Sequence, residues 1–232
     1  MKVLITDLTR MQGGHICVAG IDIDKNKRVR PVAGESLSGR LLVTNGGPLD
    51  VRRVIDIGRT APRRSRPEIE DVRFEPRSIR LLSTMPEADF VQRLTKLAAA
   101  DLSAIGDDLQ PRGRNLVVPE GKGKCSLVIV KMTEPLRVHI NANGRLRLAW
   151  HDDIELPITG LRLFENDLRT PDRRRAEWLQ HQLAADGERF LCFGLGRPFE
   201  GFHWLQINNI HLSTNPGWQL QIPIVTETWT RA

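Results

Sequence analysis

Tyrosine is missing from the sequence, which removes one acid/base side chain from any catalytic scheme. Cysteine is scarce. Cys17, Cys125 and Cys192 are odd in number, far apart and without a Cys-x-x-Cys pair. That spacing argues against a disulfide framework and predicts buried free thiols in a reducing cytoplasm. With no closely spaced His/Cys set, neither a zinc site nor any other metal is expected. No apolar run approaches the length of a membrane span, and the run at 3–5 stops at Thr6-Asp7. Neither a secretory segment nor membrane association is expected, and the expected location is the cytoplasm.

Catalytic signatures are equally sparse. The sequence has no His-Glu-x-x-His, no Gly-x-Ser-x-Gly and no Gly-x-x-x-x-Gly-Lys-Ser/Thr. Asp153-Ile154-Glu155 begins like a metal-dependent nuclease core, but Leu156-Pro157 follows where a lysine belongs. His151-Asp152-Asp153 reads as a polar turn before a strand. These absences predict a protein without enzymatic activity and without a cofactor.

What is present is basic and rich in strand signals. The net charge is +6, and it is unevenly placed. Residues 1–80 hold 16 Lys/Arg against 10 Asp/Glu, while residues 81–232 hold 18 of each. Arg52, Arg53, Arg59, Arg63, Arg64 and Arg66 have only Asp56 as a local acid. A one-sided basic field favours a polyanionic partner.

The stretch FLCFGLGRPFEGFHWLQINN, residues 190–209, resembles a phosphate loop only superficially. Its glycines are spaced two and then five apart, where the dinucleotide fingerprint needs two and then three, and no helix follows. Instead 204–207 alternates like a strand, so the stretch predicts strand, loop and strand. Leu205 and Ile207 share one parity and Ile210 and Leu212 the other, which places a bulge at Asn208-Asn209. A matching change between Ile16/Val18 and Ile21/Ile23 places another at Ala19-Gly20. If Leu205 and Ile207 face the core, Trp204 and Gln206 face outward beside Arg197 and Phe202. That set can stack a base and hydrogen-bond its edge. Alternatively, a helix over 171–185 covers Trp204.

Two helices are expected. Thr84-Met85-Pro86-Glu87 reads as a capping box before Phe90, Val91, Leu94, Leu97 and Ala98, with Gly106 as the stop. Thr170-Pro171 supplies an N-cap and N1 pair before the stripe Ala176, Leu179 and Leu183. Arg173-Arg174-Arg175 in that first turn reads as a solvated face. Short strands are expected at 125–132, 136–141, 145–150, 154–158, 188–193, 203–212 and 217–222.

Two hairpins can be registered. In the first, a three-residue loop at 25–27 pairs Ile23 with Val29 and builds an outer ladder of Asp24–Arg28 and Asp22–Arg30. In the second, Gly144 in a left-handed conformation sets Val138 opposite Leu148 and Ile140 opposite Leu146. Arg137, His139, Asn141, Arg145 and Arg147 then line the outer face with no acid among them. Either a nucleic-acid backbone or the acids Asp152, Asp153 and Glu155, folded back, compensates this charge.

The order of these stretches carries a resemblance: "GGHICVAGI", "RVRPV", "LDVRRVIDI", "RPEIEDVRFEP", "LRLAWHDDIELPIT" and "RFLCFGLGRPFEGFHWLQINNIHL". The chain resembles the dual OB-containing domain, a bacterial family of two consecutive OB-type barrels. The resemblance implies a mainly β fold of two OB-like barrels, with an inserted helix in the second. The expected units are an N-terminal barrel at 1–82, a helical connector at 83–112 and a C-terminal barrel at 113–232. It also implies nucleic-acid binding, in a mobile-element or phage-defence setting, with a neighbouring protein as a further possible partner. OB barrels bind single strands on an open sheet face, so single-stranded DNA or RNA is the expected ligand. The rival expectations are a protein-interaction adaptor and, more remotely, a hydrolase of nucleotides or nucleic acid. The residues expected to touch nucleic acid are Arg137, His139, Arg145, Arg147, Arg197, Phe202, Trp204, Arg59, Arg63, Arg64 and Arg66.

Overall fold

The computed structural model describes residues 1–63, 65–151, 153–160 and 173–216. The fold is mainly β, and the strands form three sheets. Among the described residues none of the three closes into a barrel. The expected strand at 217–222 and the Thr170-Pro171 cap lie outside the described residues.

The first sheet is built on β1 (Lys2–Arg10) and β2 (His15–Asp22), joined to β3 (Lys27–Val32), β4 (Leu37–Ser38), β5 (Arg53–Asp56), β6 (Ala61–Pro62), β7 (Asp71–Arg73) and β8 (Arg80–Thr84). Its spatial order is β6-β7-β3-β2-β1-β5-β8, with β4 also on β2. The second sheet has β9 (Gln110–Arg112), β10 (Asn115–Pro119), β11 (Leu127–Met132), β15 (Arg189–Leu195) and β16 (Phe202–Leu212), in the order β11-β15-β16-β10-β9. The third holds β12 (Arg137–Ile140), β13 (Leu146–His151) and β14 (Ile154–Pro157).

Helix α1 (Glu87–Leu97) buries Phe90 and Leu94 as its periodicity predicts, but it starts later than the capping box suggests. Thr84 remains in β8, paired with Arg53, so its hydroxyl does not cap the helix and Pro86 takes the N-cap position. The helix ends at Leu97, and Gly106 instead terminates a short 3-10 turn, Leu102–Ile105. Helix α2 (Arg173–Ala184) buries Ala176, Leu179 and Leu183, the expected stripe.

Two hydrophobic clusters form the core. One gathers residues from β1, β2, β5 and α1; the other gathers the second and third sheets with α2. Strand β15 borders both. Phe190 and Cys192 enter the first cluster, while Leu191 and Phe193 enter the second. A strand buried on both faces reads as a continuous apolar run, and FLCF is such a run.

Both expected phase changes occur, with one relocated. On β16 the register slips at Asn208, since Cys192 faces Asn209 and Phe193 faces Ile207. Near Ala19-Gly20 the extra residue belongs to the partner strand: Ile5 faces Gly20 and Asp7 faces Ala19, so Thr6 is the bulge. The glycines of the GLG stretch also find their reason. A Cβ at Gly194 would come 2.2 Å from the Asn208 side-chain nitrogen, so this glycine admits the bulged amide instead of a phosphate.

The first hairpin differs from expectation. Asp22 pairs with Lys27 and Ile21 with Arg28, leaving a four-residue turn at 23–26 in which Asn26 has φ 48°. The Asp22 carboxylate accepts the Asp24 and Lys25 amides, so it shapes the turn and is not available for a cross-strand ladder. Arg28 turns inward to Asp7 and to the Thr6 hydroxyl, and Arg30 Nε donates to Asp71 Oδ1 at 2.6 Å. Charge that looked exposed in sequence is consumed in buried pairs.

Candidate nucleic-acid interface

The second hairpin follows the expected register: Val138 faces Leu148, His139 faces Arg147 and Ile140 faces Leu146. Gly144 has φ 69°, and its amide donates to the Asn141 carbonyl. Val138, Leu146 and Leu148 are buried, while Arg137 and Arg145 are exposed. The outer face is not free of acid, however. β14 places Glu155 opposite Ala149, and its Oε1 lies 3.0 Å from His139 Nε2 and 2.5 Å from an Arg114 nitrogen. Of the acids expected to fold back, Glu155 does so; Asp152 lies outside the described residues.

Arg147 is half-buried and points away from the tip of the hairpin. Its guanidinium donates to Asn115 Oδ1 at 3.2 Å and to the Glu155 carbonyl at 3.3 Å. Burial lowers its pKa from the ordinary arginine value, against the attraction of Glu155. Asn115 belongs to β10 and faces Arg112 on β9. Asn115 therefore joins the hairpin's charged face to the second sheet.

On that sheet lies the most distinctive feature. Val117 faces both Trp204 and Gln110, and Pro119 faces Phe202, which puts these side chains on one surface. Arg112 extends across it, its guanidinium carbon 4.3 Å from the Phe202 ring centroid and 5.7 Å from that of Trp204. Such distances are those of cation–π contacts. Trp204 Nε1 donates to the Phe199 carbonyl at 3.2 Å, which fixes the indole plane. Gln206, next on the face, donates to Asn208 Oδ1. The described part of α2 packs on β12, and Arg112, not α2, lies over Trp204.

The turn leading into β16 is strained. Glu200 and Gly201 have φ 53° and 77°, joining Phe199 to Phe202, whose backbones exchange hydrogen bonds. A two-residue turn with both φ positive favours asparagine or glycine at its first position, so glutamate there is costly. Its carboxylate lies 3.5 Å from an Arg112 nitrogen. Arg197 and Phe199 are exposed beside this turn, Phe199 to 64%.

The sequence itself groups Arg197, Phe202 and Trp204, and the fold adds Arg112 to them. Arg112 and Phe202 are 90 positions apart, and only the antiparallel order β9-β10-β16 brings them into contact. The available signal was Arg112-Gly113-Arg114, a basic turn immediately before an apolar strand.

The expected arginine loop is located elsewhere. Arg59, Arg63 and Arg66 are exposed at the β6 end of the first sheet, and Arg64 lies outside the described residues. No described contact joins them to the aromatic face. Their neighbours are otherwise engaged: Arg52 reaches Glu87 at 2.6 Å, and Arg53 donates to the Gly47 and Pro48 carbonyls.

Compared with known proteins, residues 1–210 match the family model described as the dual OB-containing domain. No curated protein and no solved structure matches the chain. No helix is long and apolar enough to cross a membrane among the described residues.

Proposed function

The chain belongs to the dual OB-containing domain family, and on that premise we propose that it binds single-stranded nucleic acid across the β9-β10-β16 face. The observation that carries the reading is Arg112 lying over Phe202 and Trp204 on an open sheet surface. An arginine and two aromatic rings form a platform on which unpaired bases stack, whatever their sequence. Asn115, Arg114 and Arg147 continue that surface toward the hairpin, where Arg137 and Arg145 are placed to meet phosphates. Arg59, Arg63, Arg64 and Arg66 supply a second basic region that attracts the ligand at longer range.

In this reading 1–82 and 113–232 are the two OB-type units and 83–112 runs between them, with α1 packed into the first cluster and β9 joined to the second sheet. The protein acts as a recognition subunit without catalysis, in keeping with the lack of any catalytic motif. The further assignment to a mobile-element or phage-defence system follows from the family resemblance.

Fluorescence anisotropy with labelled single-stranded DNA, duplex DNA and RNA across a salt series tests the proposal. Binding of single strands that weakens with salt and with Arg112→Ala supports it. Equal preference for duplex, or indifference to Arg112, refutes it.

A protein-interaction role is the second reading, favoured by Leu81 and Leu82, which are 45% and 48% exposed on the edge strand β8. Exposed apolar edge strands are templates for strand addition. Capture of a protein partner that survives high salt, without nucleic-acid binding, distinguishes it.

A further inference from the structure

The widely spaced cysteines argued against a metal, yet the fold brings together residues that no spacing rule connects. Asp7 of β1, Cys192 of β15 and His211 of β16 are all buried, and one potential ligand atom from each lies within 4.8 Å of the others. They meet where the two hydrophobic clusters adjoin, beside the Thr6 bulge.

Three details of this cluster are hard to explain by hydrogen bonding alone. Asp7 is 1% exposed, and its Oδ1 receives no N–H or O–H donor. Its other oxygen is well supplied, by Arg28 and by the Thr6 hydroxyl at 2.7 Å. The further donor to this carboxylate is the Cys192 thiol, a weak one, so the buried group is under-satisfied and a cation would satisfy it better. His211 shows the complementary problem. Its Nδ1 lies 3.2 Å from the Pro216 carbonyl oxygen and its Nε2 lies 3.0 Å from that of Thr6. A neutral imidazole has one N–H for these two acceptors, so one nitrogen presents a lone pair. Cys192, third, is fully buried, and its thiol hydrogen-bonds the Asp7 carboxylate.

We propose that Asp7, Cys192 and His211 form a structural site for a divalent transition metal of the zinc class. The donor set of one carboxylate oxygen, one thiolate and one imidazole nitrogen suits that class and not magnesium or calcium. Tetrahedral zinc with bonds of 2.0–2.3 Å needs ligand atoms roughly 3.3–3.8 Å apart, so closure about the ion draws a pair at the 4.8 Å limit together by roughly 1.0–1.5 Å. The surrounding contacts are those that orient ligands: Arg28 and Thr6 hold the non-ligating carboxylate oxygen, and a backbone carbonyl receives the remaining imidazole N–H. On binding, the thiol proton leaves to solvent, and the thiolate and carboxylate offset the charge of the ion while Arg28 stays paired to the other Asp7 oxygen. Complete burial makes the site structural, joining β1 to the β15–β16 pair. This assignment is independent of the proposed nucleic-acid face.

Untagged protein from zinc-supplemented cells, analysed by mass spectrometry for metals, should contain stoichiometric zinc. Replacement by cobalt should give a thiolate-to-cobalt charge-transfer band. Cys192→Ser should abolish that band, while Cys17→Ser and Cys125→Ser keep it. Should Cys192→Ser fail to fold, the wild-type protein still decides: stripped of metal, it should gain roughly 5–10 °C in melting temperature when free zinc is about a hundredfold above Kd. Metal-free protein that takes up no zinc and shows no such gain overturns the proposal, as does a cobalt band that persists in Cys192→Ser.

Discussion

Arg112, whose guanidinium lies over the ring of Phe202, pairs with Glu200 at 3.5 Å, and both side chains are substantially exposed. An exposed ion pair of this kind contributes little to stability, so the strain at Glu200 is not repaid there. A phosphate or base edge arriving at Arg112 must compete with Glu200. Glu200→Gly, which relieves the left-handed strain and frees the guanidinium, should tighten single-strand binding and raise the melting temperature slightly. Isothermal titration and thermal melts of the same sample check both halves.

Trp204→Ala should weaken single-strand binding by roughly 5- to 150-fold, the range that corresponds to losing one stacked base at about 1–3 kcal/mol. Phe202→Ala should behave similarly, and the two together less than additively, because both rings share Arg112. Anisotropy with a homopyrimidine oligonucleotide at fixed salt measures this. Full affinity in the folded Trp204 variant moves the contact surface elsewhere.

The hairpin arginines should separate. Arg145 is exposed, so Arg145→Ala should leave the melting temperature almost unchanged and reduce the log–log salt slope by about 0.7 if it neutralises one phosphate of a single strand. Arg147 bonds Asn115 and the Glu155 carbonyl, and Arg147→Ala should lower the melting temperature by several degrees as well. Salt titrations and melts on each single variant distinguish them. In the arginine loop, alanine at Arg59, Arg63 and Arg66 should weaken every sequence about equally.

Glu70 gives a pH-dependent prediction. Its carboxylate accepts the Ser126 and Leu127 amides and the Ser126 hydroxyl, tying the first sheet to β11. Burial raises its pKa above the ordinary 4.5, although these hydrogen bonds pull the other way. A carboxyl whose folded pKa is raised adds stability that is complete below 4.5 and lost as pH rises through the folded value. Relative to Glu70→Gln, the wild type should therefore gain stability as pH falls toward 4.5. Glu70→Ala, which strands two buried amides, should cost about 2–4 kcal/mol at neutral pH. Urea denaturation at several pH values tests both statements.

A steric prediction concerns β2. A Cβ at Gly20 would lie 2.2 Å from the Leu4 carbonyl oxygen, a backbone atom that cannot swing away. Gly20→Ala should thus destabilise by about 2 kcal/mol or more. A melting temperature equal to wild type contradicts this packing.

Local patterns were the legible ones. The second hairpin could be registered from sequence because Asn143-Gly144 fixes the turn and any other register mixes apolar and charged faces. The Asn208 bulge was legible because the strand's own alternation breaks there. The first hairpin was not, because Arg28 finds its acid at Asp7, on another strand, and Asp22 binds backbone amides instead of arginine. Likewise the bulge near Gly20 showed as a phase change in β2 although Thr6 on β1 carries it. A phase break reports that the ladder slips, not which strand holds the additional residue. The Asp7–Cys192–His211 cluster depends on strand order across most of the chain, and nothing in its neighbourhood marks it. Arg112 is marked only by the basic turn Arg112-Gly113-Arg114 and needs the strand order to reach the rings.

The Thr6 carbonyl accepts the Asn209 amide and faces His211 Nε2, while β15 is embedded in both cores. Tandem modules on a flexible linker can each adjust to the path of a ligand. Here the two halves share a wall, so the spacing between the arginine loop and the aromatic face is set by the fold. On the proposed function, a strand long enough to touch both must adopt the curvature that this fixed spacing imposes, and shorter strands engage one end alone. Affinity plotted against oligonucleotide length should therefore rise in a step and not as a gradual climb.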